Sequence, residues 1–213
     1  MGEVLERLDS PERPTVAVAE AIPEKLLIAP PEFKGAHDPH VWFDLELWGF
    51  AVDAVRDQLM SFDPPNASEY SERAEIYRGK LARLHNYARA QFARVPEQQR
   101  VLVTAHDAFN YLGAAYGLEV RGLQGISTAS VAGVKDVDEM VNLIVDRKIK
   151  AVFVESSVSP KAIEAVREHV TAKGHNVVIG GELFSDAMGD EPPTDTYVGM
   201  VRANVRTVVD ALR

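Results

Sequence analysis

The strongest constraint on the fold is an alternation of strand-like and helix-like runs in the part of the chain that follows Pro96. Hydrophobic periodicity predicts strands at residues 100–104, 119–122, 151–155 and 176–180. Helices are predicted at residues 106–116, 133–147, 160–172 and 196–212. Strands and helices that alternate with short connections are typical of βαβ units around a parallel sheet, so the sequence predicts an α/β fold.

The amino-terminal part of the chain carries fewer elements. A short helix is predicted at residues 2–8, a strand at 15–19 and a helix at 41–62, whereas the prolines of residues 20–39 predict a loop. A parallel sheet needs more than one strand. We therefore expect an amino-terminal lobe that is incomplete in this chain.

One long helix is predicted between residues 67 and 95. Its apolar residues recur at steps of three and four from Tyr70 to Ala88. About 28 residues at a rise of 1.5 Å span roughly 40 Å. A surface helix or a coiled-coil partner is one interpretation; we prefer a helix that joins two lobes, because α/β patterns flank it. The predicted organisation is a partial lobe at 1–65, a linking helix at 66–95 and a carboxyl-terminal α/β lobe at 96–213.

Composition excludes several classes of protein. The formal net charge of −9 argues against a nucleic-acid-binding protein, which needs a basic face. The chain contains no cysteine, so any metal must be held by nitrogen and oxygen ligands. No apolar run approaches the roughly 20 residues of a membrane-spanning helix.

Three side chains that can bind metals lie at predicted element boundaries. His106 follows the apolar run 101–103, His40 precedes the amphipathic run that begins at Val41, and Asp186 follows the apolar run 177–179. Taken singly, each of these residue types more commonly has a structural role than a metal-binding one. Ligands bind outside the carboxyl ends of parallel strands, so together the three predict a metal site in a crevice. Two imidazoles and a carboxylate suit Zn²⁺, and also Mn²⁺ or Fe²⁺ at lower intrinsic affinity.

Other polar residues are weaker candidates. Glu155 ends a predicted strand and is a candidate to accept a hydrogen bond from a ligand histidine. His37 lies three residues before His40 and is expected to be solvated, and the loop at 122–128 is expected to line the crevice. No role is assigned to the three remaining histidines, which are His85, His169 and His175.

Six segments of the chain, in order, resemble the TroA-like zinc and manganese solute-binding proteins of bacterial ABC importers. One of them contains the Asp38-Pro39-His40 motif, and another contains His106. The segments are residues 38–44, 103–109, 122–128, 153–157, 180–189 and 196–200.

The resemblance implies two Rossmann-like lobes with parallel sheets flanked by helices, one long spine helix that joins them, and a metal between the lobes. It matches His40 with the family's second ligand, His106 with the third and Asp186 with the fourth. A histidine in the third position resembles the zinc-competent members, so Zn²⁺ is expected, with Mn²⁺ as the alternative.

The segment of the family that carries its first ligand, a histidine, has no counterpart in this chain. We therefore expect weakened metal binding, with water or His37 in the vacant position. A shortened chain or a mis-assigned start codon would explain the difference. Apolar surface exposed in this way would favour a homodimer, a domain swap or poor solubility.

The resemblance implies an extracytoplasmic receptor, periplasmic or a cell-surface lipoprotein, that delivers Zn²⁺ or Mn²⁺ to an ABC permease and is not an enzyme. A metal-dependent hydrolase is one alternative, with water in the open coordination position and Glu155 or Glu182 as the base. The usual hydrolase and phosphate-loop motifs are missing from the sequence. A second alternative is an adhesion or interaction module that binds its partner independently of metal.

Overall fold

The computed structural model describes residues 15–31, 35–126 and 132–213. Its contacts divide the chain into two compact units, Met1–His85 and Asn86–Arg213. Parallel strands flanked by helices, together with one long helix, confirm the predicted α/β fold class. The helix predicted at residues 2–8 lies outside the described residues. None of the described helices is both long and apolar enough to cross a membrane.

The described residues of the amino-terminal unit form helices and turns. Helix α1 spans Leu47–Phe62 and helix α2 spans Ala67–Phe92, which continues into the second unit. Short 3-10 turns occur at Val18–Ala21, Glu24–Leu26, Val41–Phe43 and Pro64–Asn66. The predicted strand at 15–19 is wrong, because its backbone finds no strand partner among the described segments of this unit.

The predicted helix at 41–62 is divided in two by Asp44. The carboxylate Oδ1 of Asp44 accepts hydrogen bonds from the backbone N–H groups of Glu46 at 2.9 Å and Leu47 at 3.1 Å. These are donors that a helix start leaves without partners inside the helix. The bonds therefore fix the beginning of α1 at Leu47, after the separate turn at Val41–Phe43.

Helices α1 and α2 are held together on one side and separated by a groove on the other. Arg78 Nη1, on α2, donates to the Gly49 carbonyl oxygen at 2.8 Å and lies 2.7 Å from Asp53 Oδ2, both on α1. The groove has a volume of about 480 Å³ and mostly apolar walls, to which Trp48, Val52 and Tyr77 contribute.

The described residues of the carboxyl-terminal unit include four parallel strands. Strands β1 (Val101–His106) and β2 (Glu119–Gln124) pair with each other, as do β3 (Ala151–Glu155) and β4 (Val178–Leu183). Strand β1 also contacts β3, so the two pairs adjoin in the order β2-β1-β3-β4. His106 is level with Gln124, and Glu155 with Leu183, so the carboxyl ends of the strands meet at one edge.

In the part of this unit that the structure describes, the strands are accompanied by the helices α3 (Asn110–Tyr116), α4 (Val134–Asp146), α5 (Lys161–Ala172) and α6 (Tyr197–Leu212). The last three agree with the predicted helices within one residue at each end. Helix α3 begins four residues later than predicted, because β1 extends through His106 and residues 107–109 connect it to the helix. A shared core of buried aliphatic side chains from β1, β3, α4 and α5 includes Val103, Ile144, Val152 and Ile163.

The β3–β4 pair contains an irregularity that needs glycine. The register shifts between Val152 and Phe153, and Gly181 opposite has a φ of +142°. Residues other than glycine rarely adopt this backbone conformation. The shift lets β4 continue to Leu183, three residues beyond the end of the predicted strand.

A surface cluster at the start of β2 predicts a pH dependence of stability. Arg147 donates a hydrogen bond to Glu119 Oε2, and Arg121 Nε donates to Glu119 Oε1 at 3.0 Å. The bond from Arg147 is the main cause of a Glu119 pKa below its ordinary value, with Arg121 adding to it. Since the folded-state pKa is lowered, the stabilisation is present above the ordinary glutamate pKa and is lost as pH falls through the lowered value.

We expect Glu119→Gln to lower the free energy of unfolding by less than about 1 kcal/mol at neutral pH, because the cluster is partly solvated. Urea unfolding at a series of pH values should show that wild type and variant converge in acid. The exposed Glu139 carboxylate, paired with Lys135, provides the control Glu139→Gln. A difference between wild type and Glu119→Gln that persists unchanged into acid would contradict the assignment.

Candidate metal centre

The candidate centre lies at the carboxyl edge of the strands in the second unit. His106 is the last residue of β1 and Glu155 is the last residue of β3. Asp186 follows the end of β4 by three residues. The sequence placed His106 just after a strand ending at residue 104; the strand instead includes His106, which pairs with Gln124 of β2.

Glu155 holds His106 at two points. Its Oε1 accepts a hydrogen bond from the backbone N–H of His106 at 2.8 Å, and its Oε2 lies 2.6 Å from the ring nitrogen Nδ1. Both side chains are fully buried. The ring is therefore oriented by a carboxylate from a different strand, with Nδ1 directed to Glu155.

The other ring nitrogen of His106 faces Asp186. Nε2 lies 3.6 Å from Asp186 Oδ1, and the Asp186 side chain is 35% exposed. This distance is too long for a direct hydrogen bond. Two ligands on a tetrahedral Zn²⁺, each bound at about 2.0–2.1 Å, are separated by roughly 3.3 Å. Only a small movement would let one ion bind both atoms.

The surroundings of His106 are negative. Burial is the largest single influence on its pKa and lowers it, but the hydrogen bond and charge of Glu155, with the charges of Asp186 and Asp107, outweigh burial and raise the pKa above its ordinary value. Groups that favour a positive charge on the imidazole also favour a cation bound beside it. The electrostatics of the pocket are therefore suited to a divalent metal ion.

Two side chains fasten the segment that leads to Asp186. The amide of Asn204, buried on α6, accepts a hydrogen bond from the Phe184 N–H at 3.0 Å and donates one to the Phe184 carbonyl at 2.7 Å. The hydroxyl of Ser185 lies 2.5 Å from that of Ser157, which follows β3. Asp186 is thus presented by a segment with defined backbone contacts.

Replacing Asn204 by leucine, which has a similar volume, should destabilise the protein by about 2–4 kcal/mol. The reason is that the Phe184 N–H and C=O both lose their partners. Urea unfolding followed by circular dichroism would measure the loss. Arg206→Ala is the control, because the Arg206 side chain on the same helix is 79% exposed, and it should change stability by less than about 0.5 kcal/mol. Equal effects of the two substitutions would refute this role of Asn204.

His40, the third candidate, lies in the amino-terminal unit and has the same kind of support as His106. It is buried at the start of the Val41–Phe43 turn. Asp38 Oδ1 accepts a hydrogen bond from the backbone N–H of His40 at 2.9 Å and lies 2.7 Å from its Nδ1. The ring also contacts Trp42 edge-on, with centroids 5.3 Å apart.

The weaker candidates lie in different settings. His37 is half-buried, and Glu182 is exposed on β4. The predicted loop at 122–128 is partly strand, since β2 extends to Gln124, and Ser127 and Thr128 lie outside the described residues. His175 Nε2 lies 2.9 Å from the Ile149 carbonyl oxygen, a contact that connects two loops of the second unit.

Sequence reasoning missed Asp38, Asn204 and Ser185. Asp38 had a detectable signal, because a carboxylate two residues before a candidate ligand can reach both its backbone and its ring. Asn204 is a polar residue within the buried face of α6, between Val201 and Val205, and such a residue needs a partner. Ser185 carried no signal beyond its position next to Asp186.

The model of the ZnuA family, described as the periplasmic component A of a zinc-uptake complex, matches residues 1–211. The chain belongs to the ZnuA family. This family consists of metal-binding proteins of transporters and not of enzymes, so the predicted resemblance and the absence of enzymatic function are both confirmed.

Relatives of this ZnuA-family chain bind different metals. It is 48% identical to the manganese-binding lipoprotein MntA of Bacillus subtilis over 214 residues, which cover 100% of the chain and 69% of MntA. It is also 48% identical to the zinc-binding protein TroA of Treponema pallidum, covering 100% of the chain and 68% of TroA. The iron-binding protein YfeA of Yersinia pestis is 30% identical over 83% of the chain and 55% of YfeA.

The fold of the ZnuA-family chain agrees with a solved structure. The periplasmic zinc-binding protein TroA of Treponema pallidum superimposes with a TM-score of 0.95 at 48% identity, covering 100% of this chain and 76% of the TroA chain. The helices and parallel strands described above are therefore those of a metal-binding solute-binding protein.

Proposed function

We propose that this protein is an extracytoplasmic receptor that captures Zn²⁺ or Mn²⁺ and delivers it to an ABC permease. His40, His106 and Asp186 are the proposed metal ligands. The metal is cargo: it is bound through nitrogen and oxygen atoms and released unchanged, so no covalent step is required of the protein.

The observation that carries this proposal is the pair formed by His106 Nε2 and Asp186 Oδ1. The two atoms lie 3.6 Å apart at the carboxyl edge of the strands, while Nδ1 of the same ring is directed to Glu155. A buried imidazole held in this way presents one nitrogen for coordination. His40 is included because Asp38 supports its ring in the same manner and because its motif matches that of a ligand in the family.

Of the two metals, Zn²⁺ is the proposed preference. MntA and TroA are equally similar to this chain and are named for manganese and zinc respectively, so the relatives favour neither metal. Imidazole donors bind Zn²⁺ more tightly than Mn²⁺ in the general order of affinities. The two histidines among the proposed ligands therefore favour zinc.

Isothermal titration calorimetry of the metal-free protein with Zn²⁺ and Mn²⁺ tests the proposal. We expect one site, with a lower dissociation constant for Zn²⁺ than for Mn²⁺. Absence of saturable binding of either metal would refute it and would favour an interaction module instead.

His37→Ala, titrated in parallel, tests whether His37 occupies the position of the family's first ligand. Weakened binding supports that role, and an unchanged isotherm leaves water as the proposed occupant.

The proposal also covers the location of the protein and the delivery of its metal to a permease. The relatives' names describe lipoproteins and substrate-binding components of ABC transporters, which supports a location outside the cytoplasm and a permease partner. Uptake of radioactive zinc by vesicles that contain the partner permease should require the metal-loaded protein. Self-association as a homodimer or domain swap is tested by sedimentation velocity over a range of protein concentrations.

A further inference from the structure

In the part of the chain that the structure describes, the amino-terminal unit exposes an apolar face along the groove between α1 and α2. The main apolar side chains of this α1–α2 face are Trp48, Val52, Val55, Leu59, Tyr70 and Tyr77. Val55 is 43% exposed and Leu59 is 37% exposed, and the groove has a volume of about 480 Å³. Apolar groups that gather on a surface in this way mark a site that binds another molecule.

The α1–α2 face continues beyond the groove along α1. Val55, Leu59 and Phe62 recur at steps of four and three residues, so they lie on one side of the helix. Phe62 is the last residue of α1 and is 63% exposed. The face therefore combines an apolar recess between two helices with an exposed aromatic ring at one end.

The ion pairs beside the groove are balanced in charge, although the whole chain carries a formal net charge of −9. Among the described residues, three arginines pair with three carboxylates, namely Arg56, Arg73 and Arg78 with Asp53, Asp57 and Glu69. Two copies of a face with excess negative charge would repel each other. Because the charges of the α1–α2 face are paired, two like faces can meet without this repulsion.

The dimensions of the α1–α2 face suit a small dimer. Helix α1 has 16 residues and is therefore about 24 Å long, and two helices packed side by side are roughly 20 Å wide. Two such faces in contact would bury on the order of 1,000 Å² in total, which is near the lower limit for a specific interface. The expected dimer is therefore weak and depends on the apolar contacts at its centre.

We propose that two copies of this chain self-associate through the α1–α2 face, about a two-fold axis. Such an axis brings the same patch of each copy together, so the patch must be complementary to itself. The exposed ring and the recess beside it supply a projecting and a receiving apolar group on one face. The inference names the surface for the self-association included in the proposed function, and it does not require a bound metal.

Sedimentation velocity of the full chain over a range of protein concentrations tests the proposal. Leu59→Glu and Val55→Lys each place a charge inside the α1–α2 face, with opposite signs. Burial of an unpaired charge is costly, so each variant should weaken association by more than about 10-fold. Ile76→Glu is the matched control, because Ile76 is 53% exposed on α2 and is not part of the groove wall.

Unfolding at several protein concentrations is the second measurement. A dimer makes the midpoint of thermal unfolding rise with protein concentration. We expect this rise for the wild type and Ile76→Glu, and none for Leu59→Glu or Val55→Lys. Below the concentration at which dimers form, unfolding reports on the monomer alone, so stability comparisons of single substitutions belong in that range.

The outcomes distinguish this surface from the rest of the proposed function. A wild type that stays monomeric at every concentration would overturn the proposal. Association that persists unchanged in both Leu59→Glu and Val55→Lys, with helices retained by circular dichroism, would place self-association on another surface. Zinc isotherms of the two variants should equal that of the wild type, because the α1–α2 face contains no proposed ligand. If no form of the protein binds metal, the metal function fails while a dimer sensitive to these substitutions still supports the face.

Discussion

Replacing His106 by alanine is expected to lower zinc affinity by more than about 100-fold. Replacing a residue that merely orients a metal ligand lowers metal affinity by about 10–100-fold. Because His106 is proposed as a ligand itself, its loss should have a larger effect. The variant loses the ring nitrogen Nε2, which lies 3.6 Å from Asp186 Oδ1. Calorimetric titration of the metal-free variant with Zn²⁺ measures the change.

His169→Ala is a matched control for this experiment. His169 is exposed on α5, so its loss removes an imidazole without changing the candidate centre. Its zinc isotherm should equal that of the wild type. Circular dichroism must show that His106→Ala retains its helices, because Glu155 loses a buried partner in this variant. A folded His106→Ala protein with an unchanged isotherm would exclude His106 as a ligand.

The second large effect is expected for Phe153→Ala in β3, with a loss of about 3–5 kcal/mol of unfolding free energy. The ring is 0% exposed. It packs so closely on β4 that a Cβ added at Gly180 would lie 2.6 Å from Phe153 Cε1. Removing the ring leaves a cavity on the face of β4 beside Ala211 of α6, two residues before Glu155. Urea unfolding measures the loss of unfolding free energy, and hydrogen exchange of the β3 amides shows where in the structure it occurs.

Phe62→Ala is the control for removal of a phenyl ring. Phe62 ends α1 and is 63% exposed, so its replacement should change stability by less than about 0.5 kcal/mol. The unfolding free energy of Phe153→Leu should lie between those of the wild type and Phe153→Ala, since leucine refills part of the cavity. A loss below about 1 kcal/mol for Phe153→Ala would mean that the strands rearrange to close the cavity.

Elements that depend on local periodicity were predictable from the sequence. Strand β3 has the predicted bounds, and α4, α5 and α6 differ from prediction by one residue at either end. Each of these helices buries a regular apolar face, which leaves a repeat of three and four residues in the sequence. The long helix α2 was predicted for the same reason and ends at Phe92, shortly before Pro96.

Elements that depend on distant partners were predicted poorly. Val16 and Val18 give residues 15–19 the composition of a strand, but strand formation requires a neighbouring backbone. The extension of β1 to His106 and of β4 to Leu183 likewise depends on pairing with β2 and β3. Local sequence does not encode where such a ladder stops.

The sequence by itself determined the α/β class, the main helices, the family and the three candidate ligands, because each leaves a local pattern or motif. Glu155 was already a sequence candidate to support a ligand histidine, but only the tertiary structure revealed which histidine it contacts and how the segment before Asp186 is held. Glu155 reaches His106 across 49 residues of sequence, and Asn204 holds Phe184 across 20. These contacts arise from the order and register of the strands and from the packing of α6 on β4. Such long-range geometry is set by the folded chain as a whole, so no spacing of residue types along the sequence could predict it.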